Sequence, residues 1–352
     1  MRHRLDQFFR QLHLAGGAVK WAVTSRLARL AALFRSPRQI VASWPDMPAL
    51  SSRIAIFMHF DRHGRVSPAA IFYIRELIAG GYCVVFVTNS GRLTPEGEAA
   101  LREHCAAIFV RRNIGYDFGA WRDVIEKLAL PAQDTQEIVI LNDSMYGPLR
   151  PLGAMLARID YAEADIWGLT ESWQHRYHMQ SFFLGFGAKA LQSPAFTKFW
   201  RDVRPAPFKT FIVREYEIGL TQKMLKAGLR CRAMWPYDAL VNQVASAQML
   251  DELARAERLR LARTDPIILS RKRQATRIRA ASAHQVALNP SADLWRQLLL
   301  GGFPFIKREL LRKNPSHVED IGDWVTVLRD ELGLDPEPVL AELRGGLKNR
   351  AP

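Results

Sequence analysis

The sequence contains little cysteine, and it has fewer acidic than basic residues. Its 352 residues include three cysteines, an odd count without metal-ligand or redox spacing, so we expect buried free thiols in a reducing compartment. Lys and Arg total 49 against 35 for Asp and Glu, which gives a formal net charge of +14. Such an excess favours an anionic partner, whether phosphate groups, acidic lipid or nucleic acid.

Long apolar runs and internal repeats are also absent from the sequence. No stretch of 18 or more residues is free of charge, so no membrane-spanning helix is predicted. Asp6, Arg10 and Lys20 interrupt the apolar positions near the N-terminus, and no secretion signal is predicted there. The basic stretch "RKRQATRIR" has no interleaved aromatic residues and belongs to no nucleic-acid module, which argues against nucleic acid as the partner.

Residues 1–45 are predicted to form a basic amphipathic helical segment. Apolar residues recur there at helical spacing, and eight basic residues face Asp6 alone, a local balance of +7. The pattern is typical of a helix lying in a membrane interface, and equally of a helical pair packed on the main domain. The stretch "SWPDMPALSS" that follows reads as a linker.

A strand-helix alternation begins at residue 53 and predicts an α/β fold. The apolar runs "RIAIFMHF", "YCVVFVTNS", "AAIFVRR" and "EIVILND" alternate with three helical segments, so we expect a parallel sheet covered on both faces. We assign residues 52–245 to this domain and residues 246–352 to a helical, basic C-terminal region. Ligands of parallel sheets bind at the carboxyl ends of the strands, and these ends are rich in polar residues and glycine here.

Two of these strand ends are candidates for binding phosphate. In "RNIGYDFGAW", Gly115 and Gly119 permit a tight turn into a helix whose amides, with Arg111 or Arg112, would face an anion. In "LNDSMYGPL", Asp143 could hold Mg²⁺ or Mn²⁺ against pyrophosphate oxygens. Each stretch has a purely structural alternative, since a strand-to-helix turn and a β-turn use the same residue types.

Two later stretches carry further candidates. In "REYEIGLTQ", Glu215 or Glu217 could remove a proton from an attacking hydroxyl. The alternative is a carboxylate that interacts with a helix dipole. The stretch "TESWQHRYHMQSFF" offers Glu171, His178 and Gln180 for binding sugar, although it also fits an ordinary polar surface loop.

In order along residues 52–320, these segments resemble the rhamnan synthesis protein F family of bacterial polysaccharide glycosyltransferases. The matching pieces include "RNIGYDFGAWRD", "LNDSMYGPL", "DIWGLTES", "HMQSFFLGF" and "YEIGLTQ". The resemblance implies a GT-A-like sheet that binds a nucleotide sugar. It also implies inverting transfer of a sugar, such as rhamnose from a dTDP-rhamnose-like donor, to a lipid-linked or growing cell-surface polysaccharide. The first 45 residues lie outside it.

The resemblance also assigns roles to residues. Glu217 is favoured over Glu215 as the base, and Asp143 is the expected ligand of a divalent cation. Asn142 and Ser144 stand where related transferases carry acids, so metal dependence is left open. Glu171, His178 and Gln180 are expected to contact the acceptor or sugar. The residues expected to bind the nucleotide sugar are His59, Asp61, Asn89, Arg112, Asn113, Gly115, Asp117, Asn142, Asp143 and Ser144.

An acceptor of this kind would place the protein in the cytoplasm, on the inner face of the plasma membrane, where its basic residues would meet an acidic surface. An alternative is a catalytically inactive partner of a polysaccharide assembly complex, which the single carboxylate of the Asn142–Ser144 triplet supports. Donor, linkage, acceptor and oligomeric state do not follow from the sequence.

Overall fold

The computed structural model describes residues 38–204, 206, 208–244 and 266–348. Within them, nine strands form one mixed sheet in the order β1-β4-β3-β2-β5-β9-β7-β10, and β8 pairs with the edge of β7. Its strands are β1 (Ile40–Trp44), β2 (Arg53–His59), β3 (Cys83–Thr88), β4 (Ala107–Arg111), β5 (Glu137–Asn142), β7 (Ile166–Ser172), β8 (His178–Met179), β9 (Phe183–Gly187) and β10 (Cys231–Trp235).

Helices pack on both faces of this sheet, so the predicted α/β class is confirmed. Every second residue of β2 enters the same core: Ile54 and Ile56 face one cluster, while Ala55 and Phe57 face the other. The helices that accompany the sheet are α1 (Pro68–Ala79), α2 (Pro95–Arg102), α3 (Tyr116–Lys127), α4 (Gly153–Leu156), α5 (Ala188–Gln192), α6 (Pro194–Asp202), α7 (Lys209–Phe211), α8 (Ile218–Lys226) and α9 (Tyr237–Val244).

The strands β2 to β5 run parallel, as predicted, but the sheet as a whole is mixed. Strand β1 is antiparallel to β4, and β9 is antiparallel to both β5 and β7. Residues 40–44, the end of the segment predicted to be helical, therefore form a strand instead. They do so because the edge of β4 offers backbone hydrogen bonds that local periodicity does not report. The remainder of that prediction, up to residue 37, lies outside the described residues.

Local signals explain where the helices begin. Ser67 caps α1 by accepting a hydrogen bond at Oγ from the Ala70 amide at 3.2 Å, and Pro68 occupies the first helical turn. Between α7 and α8 the chain forms a π-helix over Ile212–Glu217, a wider turn that often occurs at functional sites.

The described part of the C-terminal region, residues 266–348, is mainly helical and contributes most of a third apolar cluster. A two-stranded sheet joins it to the main domain, pairing β6 (Met145–Tyr146) with β11 (Ile306–Lys307). The division at residue 246 remains a prediction. The other elements are α10 (Pro266–Ala283), α11 (Pro290–Asp293), α12 (Trp295–Leu300), α13 (Arg308–Lys313), a 3₁₀ turn (Ile321–Asp323), α14 (Trp324–Thr326), a second π-helix (Val327–Glu331) and α15 (Glu337–Lys348).

Candidate active site

The polar strand ends meet at one edge of the sheet. Backbone hydrogen bonds connect them: the amide of Asn89 donates to His59 at 2.9 Å, and the amide of Asp143 donates to Met58 at 3.1 Å. The amide of Asp61 donates to Ser90 Oγ at 2.9 Å. The loops after β2, β3 and β5 therefore form a single surface, as the topology of parallel strands requires.

The turn before α3 depends on glycine. Gly115 has φ +86°, in the left-handed region where L side chains are strained. Gly119 lies against the same turn, since a Cβ added there would lie 2.8 Å from the carbonyl oxygen of Ile114. The predicted residues Arg112 and Asn113 are exposed on this turn. The Arg112 amide donates to the Gln39 carbonyl at 2.9 Å, which ties the turn to β1.

A buried ion pair supports this turn from beneath. Arg111 Nη2 lies 2.9 Å from Asp123 Oδ2, and both side chains are fully buried. The same guanidinium donates to the Ile114 carbonyl at 3.0 Å and to Asn89 Oδ1. Asn89 Nδ2 donates in turn to the Tyr116 carbonyl at 3.1 Å. Arg111 and Asn89 therefore hold the turn in place, which argues against the direct ligand contacts expected of them.

Asp143 lies at the same edge as Gly115 and is partly open to solvent. Its carboxylate has 22% exposure and lies 3.9 Å from His59 Nε2. Phe60 donates its amide to Asp143 Oδ2 at 3.4 Å. Burial lowers the pKa of the His59 imidazole although Asp143 acts to raise it, so we expect His59 to be neutral near pH 7.

Asn142 connects this loop to α3. Its Nδ2 donates to Asp117 Oδ2 at 2.7 Å, and its Oδ1 accepts from the Ser144 amide at 3.0 Å. Burial, together with the charges of Asp143 and Glu217, raises the pKa of Asp117 to about 7, although the hydrogen bond from Asn142 acts to lower it. Asp117 therefore lies within electrostatic reach of both Asp143 and Glu217.

Glu217 ends the π-helix and faces the loop before β9. Its Oε1 accepts hydrogen bonds from the Ser181 amide and hydroxyl, both at 3.0 Å. In the part of the chain described, Oε2 carries no such hydrogen bond. The charge of Glu215 acts on Tyr216 instead.

The residues expected to contact the acceptor are largely engaged within the protein. Glu171 accepts from the Tyr177 hydroxyl at 2.9 Å and from the Tyr237 amide at 3.1 Å. His178 is buried, and its Nδ1 lies 2.8 Å from the Arg176 carbonyl. Trp173 is 52% exposed, and its ring lies beside that of Tyr177, with 4.9 Å between the centroids.

Gln180 is buried as well and takes part in a longer polar chain. Its Oε1 accepts from the Thr170 hydroxyl at 2.7 Å, and its Nε2 donates to Asn289 Oδ1 at 3.1 Å. Asp61 is similarly committed to its own loop. Burial raises its pKa, but the amides of Arg65 and His63 outweigh burial and hold it below the usual range.

Asp143 offers oxygen ligands of the type that Mg²⁺ and Mn²⁺ accept. The described residues contain no group of three or more His, Cys, Asp or Glu side chains that could hold a metal ion. Mg²⁺ is often bound by one or two carboxylates together with substrate phosphates. Asp143 and its neighbour Asp117 could supply the carboxylates. Metal binding at Asp143 therefore stays a prediction.

Comparison with known protein families shows which family the chain belongs to. The model described as rhamnan synthesis protein F matches residues 84–290, more than half of the sequence. This chain belongs to the rhamnan synthesis protein F family. The match spans β3 to the start of α11 and contains the glycine turn, the Asn142–Ser144 triplet and Glu217.

Two known relatives of this chain are both distant from it in sequence. An uncharacterized protein, y4gN, from Sinorhizobium fredii is 28% identical over 54% of this chain, and the match spans 51% of y4gN, about half its length. Virulence protein VirA from Vibrio anguillarum is 27% identical over 80% of this chain and 89% of VirA.

A solved structure was also matched. It belongs to a Desulfovibrio desulfuricans protein assigned only provisionally as a nucleotide-diphospho-sugar transferase. It is 12% identical over 53% of this chain and 80% of its own, with a TM-score of 0.32.

Among the described helices, none has both the length and the apolar character needed to cross a membrane.

Sequence reasoning missed two residues of the site in this family member. Ser181 was not singled out, although it binds Glu217 through both its amide and its hydroxyl. Lys307 enters from β11, far along the chain and beyond the matched range. No local pattern in the sequence indicates that β11 pairs with β6, so nothing pointed to Lys307.

Proposed function

We propose that the protein is an inverting glycosyltransferase. It moves a sugar, such as rhamnose, from a nucleoside-diphosphate donor to a growing cell-surface polysaccharide. Family membership supports a transferase of this general kind. The observation that carries the proposal is the grouping of acidic residues around the end of β5, beside the glycine turn that begins α3. Asn142, next to Asp143, donates its side-chain N–H to Asp117 and its backbone N–H to the Phe182 carbonyl, one residue after the Ser181 that binds Glu217.

In this proposal Glu217 is the general base. Its Oε2 takes the proton from an acceptor hydroxyl, and the oxygen of that hydroxyl forms a bond to the anomeric carbon of the donor. The bond from that carbon to the diphosphate oxygen breaks, and the electron pair leaves with the nucleoside diphosphate. The Ser181 bonds to Oε1 fix the orientation of the carboxylate.

The nucleotide diphosphate would lie over the turn formed by Asn113 and Gly115, near the first amides of α3. Asp143, with a divalent cation where one is bound, would face the same group. His59 and Asp61 line the neighbouring loop, where the base or ribose is expected. The exposed face of Trp173 offers a platform for a sugar ring.

The test uses purified protein and a panel of nucleoside-diphosphate sugars with and without Mn²⁺. Binding of the donor should raise the melting temperature by mass action. Glu217→Gln keeps the Ser181 contacts but removes the base, so we expect transfer to fall about 10²- to 10⁴-fold while donor binding persists.

Glu215→Gln is the matched variant and should retain most of the activity. Loss of transfer in Glu215→Gln alone would move the base to Glu215. Donor binding with no turnover in the wild type would support the non-catalytic alternative. If no sugar nucleotide bound at all, the transferase proposal would be wrong.

A further inference from the structure

The C-terminal region contributes directly to the loop that carries Asp143. In the β6–β11 pair, Lys307 lies opposite Met145, two residues after Asp143. Arg308 donates its amide to the Ser144 carbonyl at 3.0 Å and its Nε to the Met145 carbonyl at 3.1 Å. The position of Lys307 relative to the triplet is therefore fixed by backbone pairing rather than by a flexible side chain alone.

The ammonium of Lys307 is held at the inner end of a polar chain. Its Nζ lies 3.3 Å from Ser291 Oγ, and Ser291 donates to Asn289 Oδ1 at 3.0 Å. Asn289 also accepts from Gln180, next to the Ser181 that binds Glu217. This chain of hydrogen bonds connects Lys307 to the segment that binds Glu217.

Burial and charge act on Lys307 in opposite directions. Burial lowers the pKa of its ammonium, whereas the charge of Glu217 opposes that shift. Asp293 and Glu309 oppose it too, while Lys209 adds to the effect of burial. A lysine in such surroundings is costly to keep unless an anion compensates its charge.

The charge balance of the candidate site favours a nearby cation once a donor binds. Asp143 and Glu217 lie on either side of Asn142 and Ser181, and a diphosphate adds further negative charge. An ammonium has three N–H donors, and within the described chain Lys307 uses one of them, toward Ser291 Oγ. The other two donors are available for phosphate oxygens.

We propose that Lys307 binds the donor diphosphate and stabilises it as the leaving group. The inference rests on the transferase function proposed above and adds a residue to it. Lys307 donates hydrogen bonds to the diphosphate oxygen that receives the electron pair when the bond to the anomeric carbon breaks. It keeps its own protons, since the proton released in the reaction goes to Glu217. The protein thereby supplies part of the charge that a metal ion would otherwise provide.

Calorimetric binding of uridine diphosphate, thymidine diphosphate and inorganic pyrophosphate, in EDTA, tests this role. Lys307→Met retains length and suits a partly buried position, but it removes the charge. We expect it to weaken nucleoside diphosphate and pyrophosphate binding about 10- to 100-fold. Binding of the matching nucleoside, which lacks phosphate, should not change.

Two further variants separate charge from structure. Lys307→Arg keeps the charge and should recover most of the diphosphate affinity. Lys313→Met removes an exposed lysine six residues further along, on α13, and should bind like the wild type. An equal loss for nucleoside and nucleoside diphosphate would assign Lys307 a structural role only and overturn the proposal.

The outcome also distinguishes this inference from the function on which it rests. If the wild type binds a nucleoside diphosphate and Lys307→Met binds it equally well, the role of Lys307 is wrong while the transferase proposal stands. If the wild type binds no nucleoside diphosphate and no pyrophosphate, both are overturned.

Discussion

The three carboxyl groups of the candidate site, on Asp117, Asp143 and Glu217, have different surroundings. The proposed chemistry needs such a difference, because each carboxyl group has a different role. Asp117 is partly buried and accepts a hydrogen bond from Asn142, Asp143 is partly exposed beside His59, and Glu217 is oriented by Ser181. The residue types at the strand ends were predictable from the sequence. The separate roles of these residues were not predictable, because they depend on contacts between segments that are distant in the sequence. Asn89, expected to bind the ligand, instead supports the turn through Arg111.

Asp117 should make folding stability depend on pH. Its pKa rises from 3.8 to about 7 in the folded state, so the folded protein binds this proton more tightly than the unfolded chain. The resulting contribution to stability is present at low pH and is lost as pH rises from about 4 toward 7. Asp117→Asn should therefore raise the melting temperature above that of the wild type at pH 8, and the difference should shrink at pH 4.

Asp134→Asn provides the control for that measurement, since Asp134 is an exposed acid on a surface loop. Its melting temperature should follow the wild type across the whole range. An Asp117→Asn difference that stayed constant between pH 4 and pH 8 would contradict the raised pKa.

The secondary structure elements divide into those that local pattern predicts and those that long-range pairing determines. Continuous apolar runs correctly predicted β2 to β5, and the capping Ser67 followed by Pro68 is a local signal at the start of α1. Pattern could not predict the antiparallel β9, since a buried strand reads the same in either direction. It could not predict the β6–β11 pair either, because two-residue strands carry no periodicity.

The tight approach of α3 to its own turn makes Gly119 sensitive to substitution. In Gly119→Ala the new Cβ would lie 2.8 Å from the Ile114 carbonyl oxygen, so the turn would have to shift. We expect a loss of about 1–3 kcal/mol in the free energy of unfolding, measured with urea, together with weaker diphosphate binding.

Gly153→Ala is the matched control, because nothing lies within 4 Å of its added Cβ. There the helix should gain about 0.5–1 kcal/mol. Equal stability of the two variants would show that the turn is not closely packed.

The whole molecule carries its positive charge unevenly, and this bears on where it works. Of the formal +14, residues 1–45 contribute +7, from eight basic residues less one acidic residue. The described structure reaches back to residue 38, and β1 runs antiparallel to β4, so it begins at the edge of the sheet where the glycine turn lies. The segment that precedes β1 therefore joins the domain on the same side as the candidate site. If the acceptor is membrane-bound, as the sequence predicts, the basic segment and the candidate site would meet it from the same side.

Binding to lipid vesicles tests whether the basic N-terminal residues attach the protein to an acidic membrane. Residues 1–37 hold seven basic residues and one acidic residue, and each basic residue near an acidic surface contributes about 1 kcal/mol. The full chain should therefore cosediment with vesicles containing phosphatidylglycerol but not with neutral ones, and high salt should release it. A variant beginning at residue 38 keeps β1 and the site, so it should retain its melting temperature and nucleoside diphosphate binding while losing most of its vesicle binding. Undiminished vesicle binding by that variant would place the membrane contact elsewhere on the basic surface. Equal binding to neutral vesicles would mean that charge is not what attracts the protein.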